Sequence, residues 1–215
     1  MFPERVHRSA VIILGLWSLA WQACADPVWM DNATNSSSLR VSLKSEEFRG
    51  NSNERQVQRA YLTLGTNQFA LTVPEGYQVD ASNPQKIVFS DVNYTCFITC
   101  RFIGSAPAGS DASQDAFYRN LALSRFPGAT VADQYSAAAP NHTGPAFELR
   151  WRNSFGAEEI ACVAFLPTAA GVMEFDLLAN SSNFDAGRYT FRVLLSSLRT
   201  NEGGRLEITP VSGQS

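Results

Sequence analysis

FELRWRNSFGAEEIACVAFLPTAAGVMEFDL, residues 147–177, contains three strand patterns separated by two short turns. Residues 147–152 and 173–177 alternate apolar and polar side chains, which is the two-residue period of a strand with one buried face. Residues 160–166 are apolar almost without interruption, which is typical of a central strand covered on both faces. Three such strands joined by tight turns predict an antiparallel meander.

Two helices are expected around this meander. Within residues 182–198 an apolar stripe recurs at helical spacing, and Ser182 or Asn183 could cap the first turn. Residues 115–126 show the same period, with Ser113 at the N-cap position and a Pro-Gly pair after the last turn. The sequence therefore predicts an α+β fold, a mainly antiparallel sheet with a middle helix and a C-terminal helix packed on it.

The other strand patterns lie nearer the N-terminus. Residues 46–59 fit a short helix, and the folded domain is expected to start close to Tyr61. Strands are expected at residues 61–64, 69–73, 86–90 and 94–103, with a further one within 129–139.

The N-terminal segment reads as a secretory signal peptide. Arg5 and Arg8 give it a positive start, and residues 10–21 form an uncharged apolar run of 12 residues. Small residues precede Asp26 at the two positions that signal peptidase reads, so cleavage is expected after Ala25. The mature protein is then secreted or periplasmic, with no transmembrane segment after cleavage.

Two alternatives apply to this segment. A membrane anchor needs about 20 apolar residues, more than the 12 present here. A lipid anchor on Cys24 would make the protein an envelope lipoprotein, but Trp21 stands where such signals usually carry leucine. The chain is therefore divided into a signal peptide (1–25), a polar linker (26–59), one α+β domain (60–200) and a flexible tail (201–215).

Composition excludes some classes of function. Of 17 basic and 20 acidic residues, 15 and 19 remain once the signal peptide is removed. No block of like charges stands out, so nucleic-acid binding, which leaves a basic stripe, is not expected. The content of hydrophobic residues, 45%, is that of a folded globular domain.

Two short motifs resemble those of a known group of exported proteins. A strand running into Pro-x-Gly-aromatic occurs at Phe69–Tyr77 (FALTVPEGY), and a helix with a Leu-Leu-Ser stripe occurs at Phe191–Leu198 (FRVLLSSL). This pattern, over residues 61–199, is similar to the PsbP/DcrB/Mog-like α-β-α sandwich domains. The resemblance implies an accessory or partner-binding protein. It transfers no catalytic residue, because the group shares none.

Three cysteines remain after signal cleavage, and their spacing limits how they can pair. Cys96 and Cys100 lie four residues apart on one strand, about 13 Å, whereas a disulfide needs Cα atoms within about 7 Å. Any intramolecular bridge must therefore use Cys162. Cys100 is the preferred partner and Cys96 the alternative, and a state with all three thiols reduced remains open.

No catalytic, cofactor or metal site is expected. His142 is the only histidine of the mature chain and is expected in a solvated loop, so a cysteine nucleophile would have one candidate base. A zinc site would need all three cysteines with His142, and their spacing matches no known zinc motif. Glu148, Arg150 and Arg152 share one strand face and form a candidate partner patch.

The function that these observations favour is an exported accessory protein without catalytic activity. Its expected partner is another envelope or secreted protein, or a small ligand, held by a sheet face or edge. The alternatives are a hydrolase whose site is assembled from distant segments, and an envelope lipoprotein anchored through Cys24.

Overall fold

The computed structural model describes residues 39–49, 54–105 and 110–201. This part of the chain folds into two antiparallel sheets and two helices, so the expected α+β class with a middle and a C-terminal helix is confirmed. The elements are β1 (Arg40–Arg49), β2 (Glu54–Leu64), β3 (Asn67–Thr72), β4 (Tyr77–Asp80), β5 (Lys86–Asp91), β6 (Cys96–Phe102), α1 (Asp111–Arg125), β7 (Thr130–Ala139), β8 (His142–Arg152), β9 (Glu158–Thr168), β10 (Gly171–Asn180), α2 (Phe184–Ser196) and β11 (Arg199–Asn201).

The larger sheet has seven strands in the order β4-β5-β6-β10-β9-β8-β7. Its β8, β9 and β10 are consecutive neighbours, as the alternation in residues 147–177 predicts. The smaller sheet has four strands in the order β1-β2-β3-β11. The first two strands and β3 therefore do not extend the larger sheet but form a second one.

Two cores hold the layers together, one on each face of the larger sheet. The larger core joins this sheet to α2 and to the smaller sheet. The smaller core lies under α1, where the Tyr118 ring stacks on Phe165. Side chains of β9 enter the two cores alternately, with Cys162 on one side and Val163 on the other. This double burial explains the unbroken apolar run of β9.

Residues 46–49 lie in β1 and residues 54–59 lie in β2, and the two strands pair antiparallel, so the helix expected within 46–59 is wrong. Within β1 and β2, Arg59 forms an ion pair with Glu46 at 2.9 Å, and the Tyr61 hydroxyl donates a hydrogen bond to the same carboxylate. The Lys44 ammonium lies 5.0 Å from the centre of the Tyr61 ring. Such cross-strand pairs stabilise two paired strands, whereas the segment has no apolar stripe to stabilise a helix.

These strands also occupy part of the segment for which a polar linker was expected. Within the described residues, β1 pairs with β2 from Arg40 onward. The expected signal peptide (1–25) and all but one residue of the expected tail lie outside the described residues. No helix of the described part is both long and apolar enough to span a bilayer.

The middle helix begins four residues earlier than its expected start. Ser110, not Ser113, occupies the N-cap position of α1. The Ser113 hydroxyl instead donates to the Ser110 carbonyl oxygen at 2.7 Å. For α2, Asn183 is the N-cap residue, one of the two that the sequence offers.

Candidate functional site

The sequence-predicted patch on β8 faces α2. Glu148 is buried, its side chain only 10% exposed, and its carboxylate accepts hydrogen bonds from Arg150 at 2.8 and 2.9 Å. Arg150 also lies 3.6 Å from a carboxylate oxygen of Glu158 on β9. Arg152 donates to the Gly156 carbonyl oxygen at 2.9 Å. Hydrogen bonding to Glu148 raises the pKa of Arg150, so this guanidinium stays charged.

Helix α2 adds two further arginines to this patch. Arg188 lies 3.8 Å from Glu148 and donates to Asp185 at 3.1 Å. Arg192 is exposed one turn later and forms no hydrogen bond or ion pair with the described residues. Burial raises the pKa of Tyr135 on β7, and the positive charge of Arg192 acts in the opposite direction. Arg192 therefore lies beside β7.

Two large exposed side chains continue this surface along α2. Tyr189 is 72% exposed and Val193 is 41% exposed, and they lie one helical turn apart. We call the combination of Arg150, Arg152, Arg188, Arg192, Tyr189 and Val193 the arginine surface. The alternation in β8 predicts the β8 half of this surface, but the α2 half depends on how the helix crosses the sheet.

A second group of charged side chains is buried on the opposite face of the larger sheet. Glu174 and Asp176 of β10 both point towards the α1 side, and Glu174 has no solvent exposure. Arg125 of α1 binds Glu174 with two hydrogen bonds of 2.9 and 3.1 Å. Arg101 of β6 lies 3.3 Å from Glu174 and donates to Asp176. The buried charge cluster is defined by these four residues.

The protonation of this cluster is perturbed by its burial. Burial and then the charge of Asp176 raise the pKa of Glu174 to about 7, against the opposing effect of Arg101 and Arg125. No hydrogen-bond donor among the described residues reaches Asp176 Oδ1, which is also buried. Because Glu174 is closed to solvent, it cannot act on an external substrate in this conformation. The arrangement fastens α1 to β10 and β6.

The buried charge cluster was not predicted from the sequence. Glu174 and Asp176 alternate with apolar residues, as Glu148 and Arg150 do in β8, which predicts a solvent-facing side. However, β10 lies between β6 and β9, and α1 brings Arg125 over Glu174. Two acidic side chains on an inner strand need basic partners if they are buried. This requirement is the signal that could have revealed the cluster.

The three cysteines are free, so the bridge expected between Cys162 and either Cys100 or Cys96 is wrong. Cys96 and Cys100 lie on β6 and Cys162 lies on β9, with β10 between them. Two strand spacings are about 9.5 Å, more than the roughly 7 Å that a disulfide allows. Burial raises the pKa of Cys162 to about 11, which makes this thiol a poor nucleophile.

His142 joins the two sheets and is not a solvated loop residue. The half-buried ring at the start of β8 donates from Nδ1 to the Pro167 carbonyl oxygen at 2.9 Å. Its Nε2 lies 3.2 Å from the Thr200 hydroxyl on β11. Within residues 39–49, 54–105 and 110–201, no group of three or more metal-ligating side chains comes together.

No family model matches the sequence, and no curated protein matches it significantly. Among solved structures, LpqN, involved in cell envelope biogenesis of Mycobacterium tuberculosis, is 12% identical. That match covers 76% of this chain and 92% of LpqN, with a TM-score of 0.47. The cyanobacterial PsbP (CyanoP) of Synechocystis is 13% identical over 79% of this chain and 96% of its own, with a TM-score of 0.43. A PsbP protein is thus among the similar structures, as the sequence resemblance predicts.

Proposed function

We propose that this chain is an exported accessory protein that binds a protein partner through the arginine surface and has no catalytic activity of its own. The observation that carries the proposal is the exposure of Tyr189, 72%, beside Val193 and beside Arg192, which forms no hydrogen bond or ion pair with the described residues. Tyrosine and arginine, with tryptophan, are the residue types enriched among the side chains that contribute most to binding at protein interfaces.

The charges of the arginine surface favour an acidic partner. Arg150 and Arg188 are partly neutralised by Glu148, Glu158 and Asp185. Arg192 has no such partner among the described residues, and its guanidinium offers a planar fork of donors that suits a carboxylate. We therefore expect the partner to place carboxylates beside Arg192 and an apolar side chain against Tyr189.

Export determines which partners the protein meets. The proposed signal peptide, residues 1–25, with cleavage after Ala25, supports a periplasmic or secreted location. The partner is then an envelope or secreted protein. The proposed globular unit, residues 60–200, would carry the arginine surface on β8 and α2, with β1 and β2 completing the smaller sheet.

Site-specific photo-cross-linking in the cells that make the protein tests this proposal. A photoreactive amino acid replaces Tyr189, and in a matched control it replaces Asn120, which is exposed on α1 across the sheet. We expect a discrete cross-linked product from position 189 that disappears when Arg192→Glu is added. No product at position 189, or the same products from both positions, would contradict the proposal.

A further inference from the structure

The outer edge of β7 differs from the other sheet edges of this molecule. Strand β7 is ten residues long and ends the larger sheet, and no described strand pairs with its outer side. Its residues 134–139, QYSAAA, contain no charge and no proline. The bulge between Val131 and Asp133 and the charge of Asp133 disturb only the beginning of the strand.

Proteins normally protect such edges against added strands by shortness, charge or proline. The other edges described here follow that rule. Strand β4 has four residues and β11 has three. The long β1 carries exposed charges, among them Arg40 and Lys44. The outer edge of β7 is unprotected, whereas the other three described edges are protected. This difference indicates that the β7 edge accommodates an added strand.

The backbone groups at this edge are directed outward. Ser136 of β7 stands opposite Pro145 of β8, which has no N–H to donate. This is the arrangement of a non-hydrogen-bonded pair, in which the N–H and carbonyl of Ser136 point away from β8. By the same alternation, the backbone groups of Gln134 and Ala138 also point outward.

We propose that residues 134–139 of β7 take up an extended, acidic segment of the partner as an eighth strand of the larger sheet. This inference rests on the proposed function and specifies the form of its partner. On the α2 side, the added strand would run past Tyr135 and beside Arg192, where acidic side chains are favoured. On the α1 side it would meet the small exposed side chains of Ser136 and Ala138.

The charge of Arg192 favours an acidic strand over a second copy of this chain as the occupant of the edge. Antiparallel pairing of two β7 strands keeps each face of the sheet continuous, so both α2 helices would lie on the same side of the junction. Arg192 of each copy would then approach that of the other copy across the new seam. An acidic strand replaces this repulsion with attraction.

The probe for this edge is a fluorescein-labelled decapeptide of alternating glutamate and valine, with a lysine-valine decapeptide as its charge control. Binding is measured by fluorescence anisotropy with the full mature chain. We expect Ser136→Pro, which removes one outward N–H, to weaken binding about tenfold. Ser136→Ala keeps that N–H and should bind as the wild type does. Arg192→Glu should weaken the glutamate peptide, and the lysine peptide should not bind.

A second variant keeps the test decisive if Ser136→Pro fails to fold, as judged by its thermal melt. Ala138→Glu adds a charge at the edge and should repel the acidic peptide. The inference is overturned if the glutamate peptide does not bind. It is also overturned if Ser136→Ala binds this peptide no better than Ser136→Pro or Ala138→Glu does. A dimer of the free protein that Ser136→Pro abolishes also overturns it, because a second copy then occupies the edge.

The cross-linking result distinguishes this inference from the proposed function. If the product from position 189 persists in the Ser136→Pro variant, the arginine surface binds its partner without strand addition. The proposed function then stands and the present inference fails. If the product is absent in the wild type, the proposed function itself fails.

Discussion

Glu174 gives the stability of this protein a specific dependence on pH. Its carboxyl group has no solvent exposure, and burial raises its pKa from the ordinary 4.5 to about 7. A carboxyl whose pKa is higher in the folded than in the unfolded state binds protons preferentially in the folded state. Its contribution to stability is therefore fully present below about pH 4.5 and is lost as the pH rises through about 7.

The size of this effect follows from the two pKa values. The difference between 4.5 and about 7 corresponds to about 3 kcal/mol of unfolding free energy at 25 °C. Glu174→Gln keeps the size of the side chain but cannot titrate. Between pH 4.5 and 7.5 we expect the wild type to lose about 3 kcal/mol more than this variant does.

Urea-induced unfolding at a series of pH values, followed by tryptophan fluorescence, measures the difference. Groups outside the buried charge cluster are common to both proteins, so their contributions cancel in this comparison. Glu158→Gln is the matched control, because it removes a carboxylate that is 41% exposed and lies outside the buried charge cluster. Parallel pH profiles for the wild type and Glu174→Gln would refute the reasoning about the buried charge cluster.

Four further predictions concern packing, thiols and export. Leu195→Ala should cost about 2–5 kcal/mol in urea unfolding, because Leu195 is 3% exposed in the larger core; an unchanged midpoint would show that α2 is peripheral. Gly187→Ala should lower the melting temperature, since a Cβ there would lie 2.8 Å from Cys96 Sγ, and Cys96→Ala should restore part of the loss; no rescue would contradict that contact. All three buried thiols of the mature chain should resist alkylation until the protein is denatured and then react without a reductant, as mass spectrometry would show; two that need reduction first would indicate a bridge. The exported protein should have the intact mass of a chain starting at Asp26, and a lipidated Cys24 would contradict this.

The sequence was sufficient for the meander and both helices because their apolar periods reflect burial directly. The two-residue period in β8 indicates one covered face, and the continuous apolar run of β9 indicates two covered faces. The smaller sheet was harder to foresee, because β1 and β2 are held by cross-strand pairs such as Arg59 with Glu46. Such pairs leave no period in a single sequence.

The order of strands across a sheet is the information that the sequence did not contain. The expected cysteine bridge required β6 and β9 to be neighbours, but β10 lies between them. The burial of Glu174 has the same origin, because alternation looks alike on an inner and an outer strand. Likewise, Arg188 and Arg192 join Arg150 only because α2 crosses that side of the sheet.

The central claim is that the arginine surface binds the partner, and the dissociation constant for the purified partner tests it most directly. The partner recovered by cross-linking from position 189 is titrated with the wild type, with Arg192→Glu and with the control Arg119→Glu on α1. We predict that Arg192→Glu weakens binding about tenfold or more, since reversing a charge at an interface costs about 1–3 kcal/mol, and that Arg119→Glu leaves it unchanged. Equal dissociation constants for the wild type and Arg192→Glu would contradict the account.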